Sequence, residues 1–179
     1  MKKILLITNS SEPNVNVVEP ILREIVSSDK KIIRLDTDRI LDDWNLVNIS
    51  PVFDWILRKK GSDVIVHSQD IGSVWYRRPS VPTPKSNINK CYHEFMQNET
   101  QKTLWGMWMC LEKNVFWMNR PETHTKLEFN KAYQMKIANE LGIKIPETCV
   151  SNDPNEIYSF FKKWNNSMII KALVVDCFQ

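Results

Sequence analysis

The sequence predicts an α/β protein built on an open, mixed sheet, and three features of its first 35 residues carry that prediction. Lys3–Thr8 (Lys-Ile-Leu-Leu-Ile-Thr) is a short, continuous apolar run, the pattern of a strand covered on both faces in a parallel sheet. After a polar stretch at residues 9–14, Val17, Val18, Ile21, Leu22, Ile25 and Val26 recur at helical spacing. Residues 32–35 (Ile-Ile-Arg-Leu) read as a second strand. Strand, helix and strand in this order make a β-α-β unit, whose crossover is expected to be right-handed. Pro20 is expected in the first turn of the helix, where its missing amide costs nothing.

The character of the chain changes between residues 44 and 79. Residues 53–57, 63–66 and 74–77 are β-rich, and Lys59-Lys60-Gly61-Ser62 reads as a hairpin turn between the first two. A small antiparallel addition to the sheet is expected here. Residues 87–114 are helical in composition, yet Tyr92, Phe95 and Met96 are out of phase with Leu104, Trp105, Trp108 and Leu111. The helix is therefore expected either to break near Asn98 or to be covered on two sides. Residues 115–118 read as a short strand closed by Asn119-Arg120-Pro121.

Residues 125–141 predict one further helix, with Gly142 at its C-terminal cap. Pro146 separates that helix from an expected strand at residues 148–150. Asp153-Pro154-Asn155-Glu156 combines an acidic N-cap, proline at the first helical position and a glutamate three residues past the cap. It predicts a helix with Ile157, Phe160, Phe161 and Trp164 on one face. Residues 168–173 read as a last strand.

Composition narrows the function. With 179 residues, 42% hydrophobic and 25% charged, the chain is an ordinary globular polypeptide. No apolar run approaches the roughly 20 residues of a membrane helix, and no signal peptide is legible, so a cytoplasmic location and no membrane partner are expected. The balance of 24 basic and 21 acidic residues leaves +3 without a basic run, so no nucleic-acid partner is expected. Cys91, Cys110, Cys149 and Cys177 have no paired spacing and no nucleophile arrangement with histidine. His67, His93 and His124 show no metal spacing, and His93-Glu94 lacks the second histidine of a zinc protease, so no metal site is assigned. Asp42-Asp43 reads as a solvated turn or helix start, and Trp105, Met107 and Trp108 as packing or a face for a peptide. The four glycines, Gly61, Gly72, Gly106 and Gly142, are never clustered, which excludes a Walker or Rossmann phosphate loop.

Two sets of cations are candidates for chemistry. Lys131 lies near a helix start, and Lys171 lies in an apolar run where an ammonium must find an anion or reach water. In Val74-Trp75-Tyr76-Arg77-Arg78-Pro79, alternation places Trp75 and Arg77 on one face and Tyr76 and Arg78 on the other. At least one guanidinium must then enter or skirt a packed layer, where it requires a carboxylate or phosphate. A structural ion pair would satisfy it equally well.

The spacing Asn130-Lys131-x-x-Gln134-x-x-x-Ala138-x-x-x-Gly142-Ile143-x-Ile145-Pro146-x-Thr148, followed by Ile169-Ile170-Lys171, resembles the opening of the nucleotide-binding region of the ATP-grasp ligases. Together with the Arg77-Arg78 motif and Trp117-x-Asn119-Arg120-Pro121, the chain is similar to the amino-terminal half of the ATP-grasp maturases that crosslink ribosomally made peptides, the microviridin or graspetide type. The resemblance implies a flavodoxin-like, pre-ATP-grasp domain at residues 1–120 and the beginning of an ATP-grasp domain at residues 121–179. It implies that Lys131 and Lys171 contact ATP phosphates, with magnesium as the counter-ion. Arg77, Arg78 and Arg120 have substrate or structural roles, and no catalytic residue is assigned within the chain. The implied reaction is phosphorylation of a precursor-peptide carboxylate and attack by a hydroxyl or amine, closing an ester or amide ring. A precursor peptide is the implied partner, and a homodimer is compatible with it. Because the sequence stops at Gln179, before the glycine loop and magnesium ligands of the family, it is expected to be catalytically incomplete. Two alternatives stay open: a non-catalytic peptide- or partner-binding module, and an ATP-grasp ligase for a small molecule.

Overall fold

The computed structural model describes residues 2–26, 32–49, 54–85, 87–128 and 130–171. The chain divides into two units, residues 1–120 and 121–179. In the first unit β1 (Lys3–Thr8) leads into α1 (Pro13–Ile25) and β2 (Ile32–Asp36). A 3₁₀ turn and the short α2 (Ile40–Asp43) follow, then β3 (Trp44–Ile49), β4 (Asp54–Lys59) and β5 (Ile65–His67). β6 (Ile71–Tyr76), α3 (His93–Met109) and β7 (Phe116–Met118) complete the unit.

β2, β1, β6 and β7 lie side by side in that order, every pair parallel. The α/β class predicted from the opening β-α-β unit is therefore present. The antiparallel strands differ from the expectation in one respect: β3, β4 and β5 form a sheet of their own rather than extending the parallel one. Trp55 and Leu57 of this sheet pack through their side chains into the same core as the parallel strands. Phe53, expected in this hairpin, lies outside the described residues, as do Lys30 and Lys31.

Strand alternation sorts the core. Leu5, Ile7, Ile33, Leu35 and Val74 face the antiparallel sheet and the second half of α3, where they meet Trp55, Leu57, Leu104, Met107 and Trp108. Leu6 and Ile32 face the other way and pack with Val15 of α1, flanked by Ile4, Leu22, Val26 and Trp75. Trp55 is fully buried at the centre of the larger cluster. Its ring meets Trp108 edge to face at 5.7 Å, and its Nε1–H donates to the Met107 carbonyl at 2.7 Å. At the edge of β1, Lys3 faces Ile71 and Ile4 faces Ser73, so Gly72 is the extra residue of a bulge. A Cβ on Gly72 would lie 2.6 Å from Cβ of Lys2, which explains glycine at this point.

Three helix expectations need correction in detail. α1 starts at Pro13, not near Val17, so Pro20 lies inside it. Glu12 and Pro13 supply the cap and the first helical position, and both Pro20 and Asn16 are exposed, so water can serve the carbonyl that Pro20 cannot. α3 runs unbroken past Asn98 and is not covered on two sides: Thr100, Leu104, Met107 and Trp108 are buried, while Tyr92 and Phe95 are exposed. In the second unit the single helix expected at residues 125–141 is two, α4 (Pro121–Glu128) and α5 (Lys131–Glu140). Asn130 breaks it by leaving helical geometry and accepting the Tyr133 amide with its side chain.

The second unit otherwise follows its capping signals. Gly142 adopts φ 71°, and the Gly142 and Ile143 amides return to the Asn139 and Ala138 carbonyls, the paired bonds of a Schellman cap. α6 (Pro154–Lys163) starts at Asp153, whose side chain accepts the Asn155 amide. The strands expected at residues 148–150 and 168–173 are not formed among the described residues; residues 172 and 173, like Cys177, lie outside them. A strand exists only where a neighbouring strand completes its ladder, and none in this unit does so among the described residues.

Trp55→Phe deletes the indole donor, orphans the Met107 carbonyl and leaves a small void. It is expected to lower stability by about 2–3 kcal/mol, measured by urea denaturation, without changing the far-ultraviolet dichroism.

Candidate functional site

From β1 the chain moves to β2 on one side, and it later returns as β6 on the other. The point between β1 and β6 where the winding changes direction opens a crevice at the strands' carboxyl ends, the place where open α/β sheets bind ligands. Three loops meet there: residues 9–12 after β1, 37–39 after β2 and 77–83 after β6.

These loops are tied by side chains. The Thr37 hydroxyl lies 3.0 Å from the Thr8 carbonyl and 2.7 Å from the Ser80 carbonyl, and accepts the Ser80 amide at 2.8 Å. Asp38 accepts the Ser10 amide at 2.9 Å. Arg34 reaches from β2 to Asp36 at 2.8 Å, Glu19 at 3.0 Å and the Asn9 carbonyl at 3.2 Å. The Thr8 hydroxyl, fully buried beside them, has no hydrogen-bond partner among the described residues.

Arg77 and Arg78 have different positions. The Arg77 amide continues the ladder by donating to the Ile7 carbonyl at 2.8 Å. Its Nε lies 3.3 Å from Oε1 of Glu12, a carboxylate only 3% exposed at the cap of α1. Glu12 also accepts a hydrogen bond from Nδ2 of the Asn14 side chain at 2.7 Å. The Asn14 bond, followed by the hydrogen bond and charge of Arg77, holds the Glu12 carboxyl below its ordinary pKa, although burial opposes them. Arg78 is exposed and adopts φ 45°, and its carbonyl accepts the Asn9 side-chain amide at 2.7 Å. A left-handed arginine is strained, and the Asn9 clamp is part of what holds it. Arg120 stacks its guanidinium over Trp117 at 5.9 Å.

Beside these loops is a cleft of about 450 Å³ lined by residues of β6, the following loop and α3. Of the three residues read as packing or a peptide face, Met107 and Trp108 are buried, whereas Trp105 is 38% exposed and lines the cleft. Asp42 and Asp43 are the acidic end of α2 and pair with Lys85 and Arg39. His67 is occupied by Asp54 at 3.0 Å, and no group of three or more His, Cys, Asp or Glu that could hold a metal ion occurs among the described residues. Lys131 is the first residue of α5, exposed, with its ammonium 3.2 Å from Oε1 of Gln134. Lys171 is exposed in irregular chain.

Glu12 and Thr37 were not singled out from sequence. The need of an arginine for a carboxylate was legible, but its partner lies 65 positions away in the chain. The one local signal was an acid directly before Pro13.

Residues 3–125 match the family model described as the MvdD pre-ATP grasp domain. Among solved structures the chain is similar to macrocyclase MdnB from Microcystis aeruginosa, at 26% identity and a TM-score of 0.75, over 92% of this chain and 52% of that one. It is similar to macrocyclase MdnC of the same organism, solved with precursor peptide MdnA, at 22% identity and a TM-score of 0.76, over 91% and 52%. A Chryseobacterium gregarium RiPP-associated ATP-grasp ligase, solved with ADP and a leader and core peptide, is 26% identical with a TM-score of 0.76, over 91% and 48%. The chain thus spans about half the length of these proteins. Among curated proteins none is significantly similar.

Glu12→Gln removes the charge that Arg77 faces. Because the native Glu12 pKa is depressed, its ionisation stabilises the fold above the unfolded carboxyl value, and this contribution is lost as pH falls through the native one. Urea midpoints measured from pH 7 to pH 3 are expected to fall further for the wild type than for the variant.

Proposed function

Because the chain belongs to the family of the MvdD pre-ATP grasp domain, we propose that it is the amino-terminal part of an ATP-dependent ligase that crosslinks or macrocyclises a ribosomally made precursor peptide. The observation that carries this reading is similarity over more than nine-tenths of the chain to two ligases at 26% identity, one named a macrocyclase and the other solved with a leader and core peptide. Residues 1–120 are the pre-ATP-grasp domain and residues 121–179 the opening part of the ATP-grasp domain. A ligase of this kind, supplied with ATP, is placed by this reading in the cytoplasm; separately, no described helix is long and apolar enough to cross a membrane.

Lys131 and Lys171 fit ATP by the chemistry of their side chains. Both are exposed ammonium groups, and neither forms an ion pair among the described residues. A lysine is a compact cation that balances phosphate without a glycine cradle. ATP, with magnesium, supplies the phosphoryl group that activates a peptide carboxylate for displacement by a hydroxyl or amine. The described acids form no cluster suited to the metal, so none is assigned to it. Arg77 is committed to Glu12, whereas Arg78 is exposed with an unshared charge among the described residues.

With ATP, magnesium and a threonine-rich acidic precursor peptide, the complete enzyme is expected to yield products lighter by one water per ring in mass spectrometry, with ADP released in proportion. ATP turnover that leaves the peptide mass unchanged would contradict a peptide substrate. Lys171→Ala is expected to reduce ring formation on the order of a hundredfold in kcat/KM, as for loss of a group that stabilises developing charge, and an unchanged rate removes Lys171 from the site.

A further inference from the structure

The cleft beside the switch point carries an inference of its own, resting on the reading that the substrate is an acidic peptide. Its walls are the rings of Tyr76, Pro79, Pro82 and Trp105, all described in the first unit. Ring surfaces with little internal freedom bind peptide side chains at low entropic cost. The charged group among its lining residues is Lys102, which forms no ion pair among the described residues. Lys102 and Trp105 are one turn apart on α3, so the ammonium and the indole share a helix face.

Gly106 adds an independent observation. It lies inside α3, where glycine weakens a helix relative to alanine, and it lines the cleft. A Cβ there would meet nothing within 4 Å, so internal packing does not require glycine. What the missing side chain leaves is clearance in the cleft.

We propose that this cleft docks a segment of the substrate peptide in which an aromatic or large apolar side chain, held by Tyr76, Trp105 and the prolines, precedes a carboxylate that pairs with Lys102. The charge match selects this occupant. A ligase that activates carboxylates acts on acidic peptide, and the cleft sets a cation without a counter-charge against apolar walls.

The test uses the ¹⁵N-labelled 179-residue chain and two probes, acetyl-Phe-Glu-amide and acetyl-Phe-Gln-amide, titrated while amide and indole resonances are followed. The Glu probe is expected to shift the Trp105 indole and Gly106 amide signals and to bind several-fold more tightly than the Gln probe. Lys102→Ala is expected to abolish that difference. Gly106→Leu, whose Cβ meets nothing within 4 Å and whose longer side chain takes up the clearance, is expected to abolish binding of both probes while Tm stays at or above that of the wild type. The proposal is overturned by equal binding of the two probes, by shifts that persist in Gly106→Leu, or by no shift at either residue at millimolar probe. Concentration-dependent broadening at Trp105 without peptide would show a second copy on this face and would equally overturn it. No nucleotide is present, so failure here leaves the ligase reading standing, and failure of ring formation by the complete enzyme leaves this binding result standing.

Discussion

A carboxylate taken out of water next to a guanidinium organises the ligand end of the first unit. Glu12 closes α1 at its amino end, and Arg77 leaves β6 at its carboxyl end, so the pair joins the two elements on either side of the crevice. The carboxylate alone would be costly there; with Arg77 and the Asn14 side chain on it, it is satisfied. This engagement fixes the strand exit, and the exit determines the next residue. With Arg77 held on one side and the Arg78 carbonyl clamped by Asn9, the chain turns through a left-handed arginine before Pro79. The strained residue is thus the product of two anchors, which is how such a backbone persists in a folded protein.

The same anchors explain why two adjacent arginines differ. Alternation along β6 sends Trp75 toward α1 and Tyr76 toward α3, and Arg77 continues the Trp75 side to find Glu12. Arg78 would continue the Tyr76 side, but the strand has ended and the positive φ redirects it. A sequence pattern can show that at least one of two guanidiniums must enter or skirt a packed layer. It cannot show which, because the choice depends on a carboxylate in the loop after the neighbouring strand β1, 65 positions earlier in the chain.

Legibility followed the range of the interactions. β1, β2 and the caps at Gly142 and Asp153 could be read because the residues responsible are neighbours in the chain. The break at Asn130 was also local, but its side chain can serve a helix interior or a cap, and only the competition between two helices decides. The docking of the antiparallel sheet through Trp55, the Thr37 ties and the Glu12–Arg77 pair depend on contacts across 29 to 65 positions. The apolar runs at residues 148–150 and 168–171 show the converse: a strand-like composition without a paired strand remains irregular, with Ile169 and Ile170 more than four-fifths exposed.

The aromatic residues of α3 show how one helix can serve two purposes. Thr100, Leu104, Met107 and Trp108 follow a single packed face, and Trp108 completes the cage around Trp55. Tyr92, Phe95 and Trp105 fall off that face, so the sequence looks out of phase when it is read as core alone. The break or double cover expected from that mismatch would both have hidden apolar surface. The helix instead runs unbroken and leaves Trp105 beside Lys102 and the open position of Gly106, so the mismatch in period marks where core ends and cleft begins.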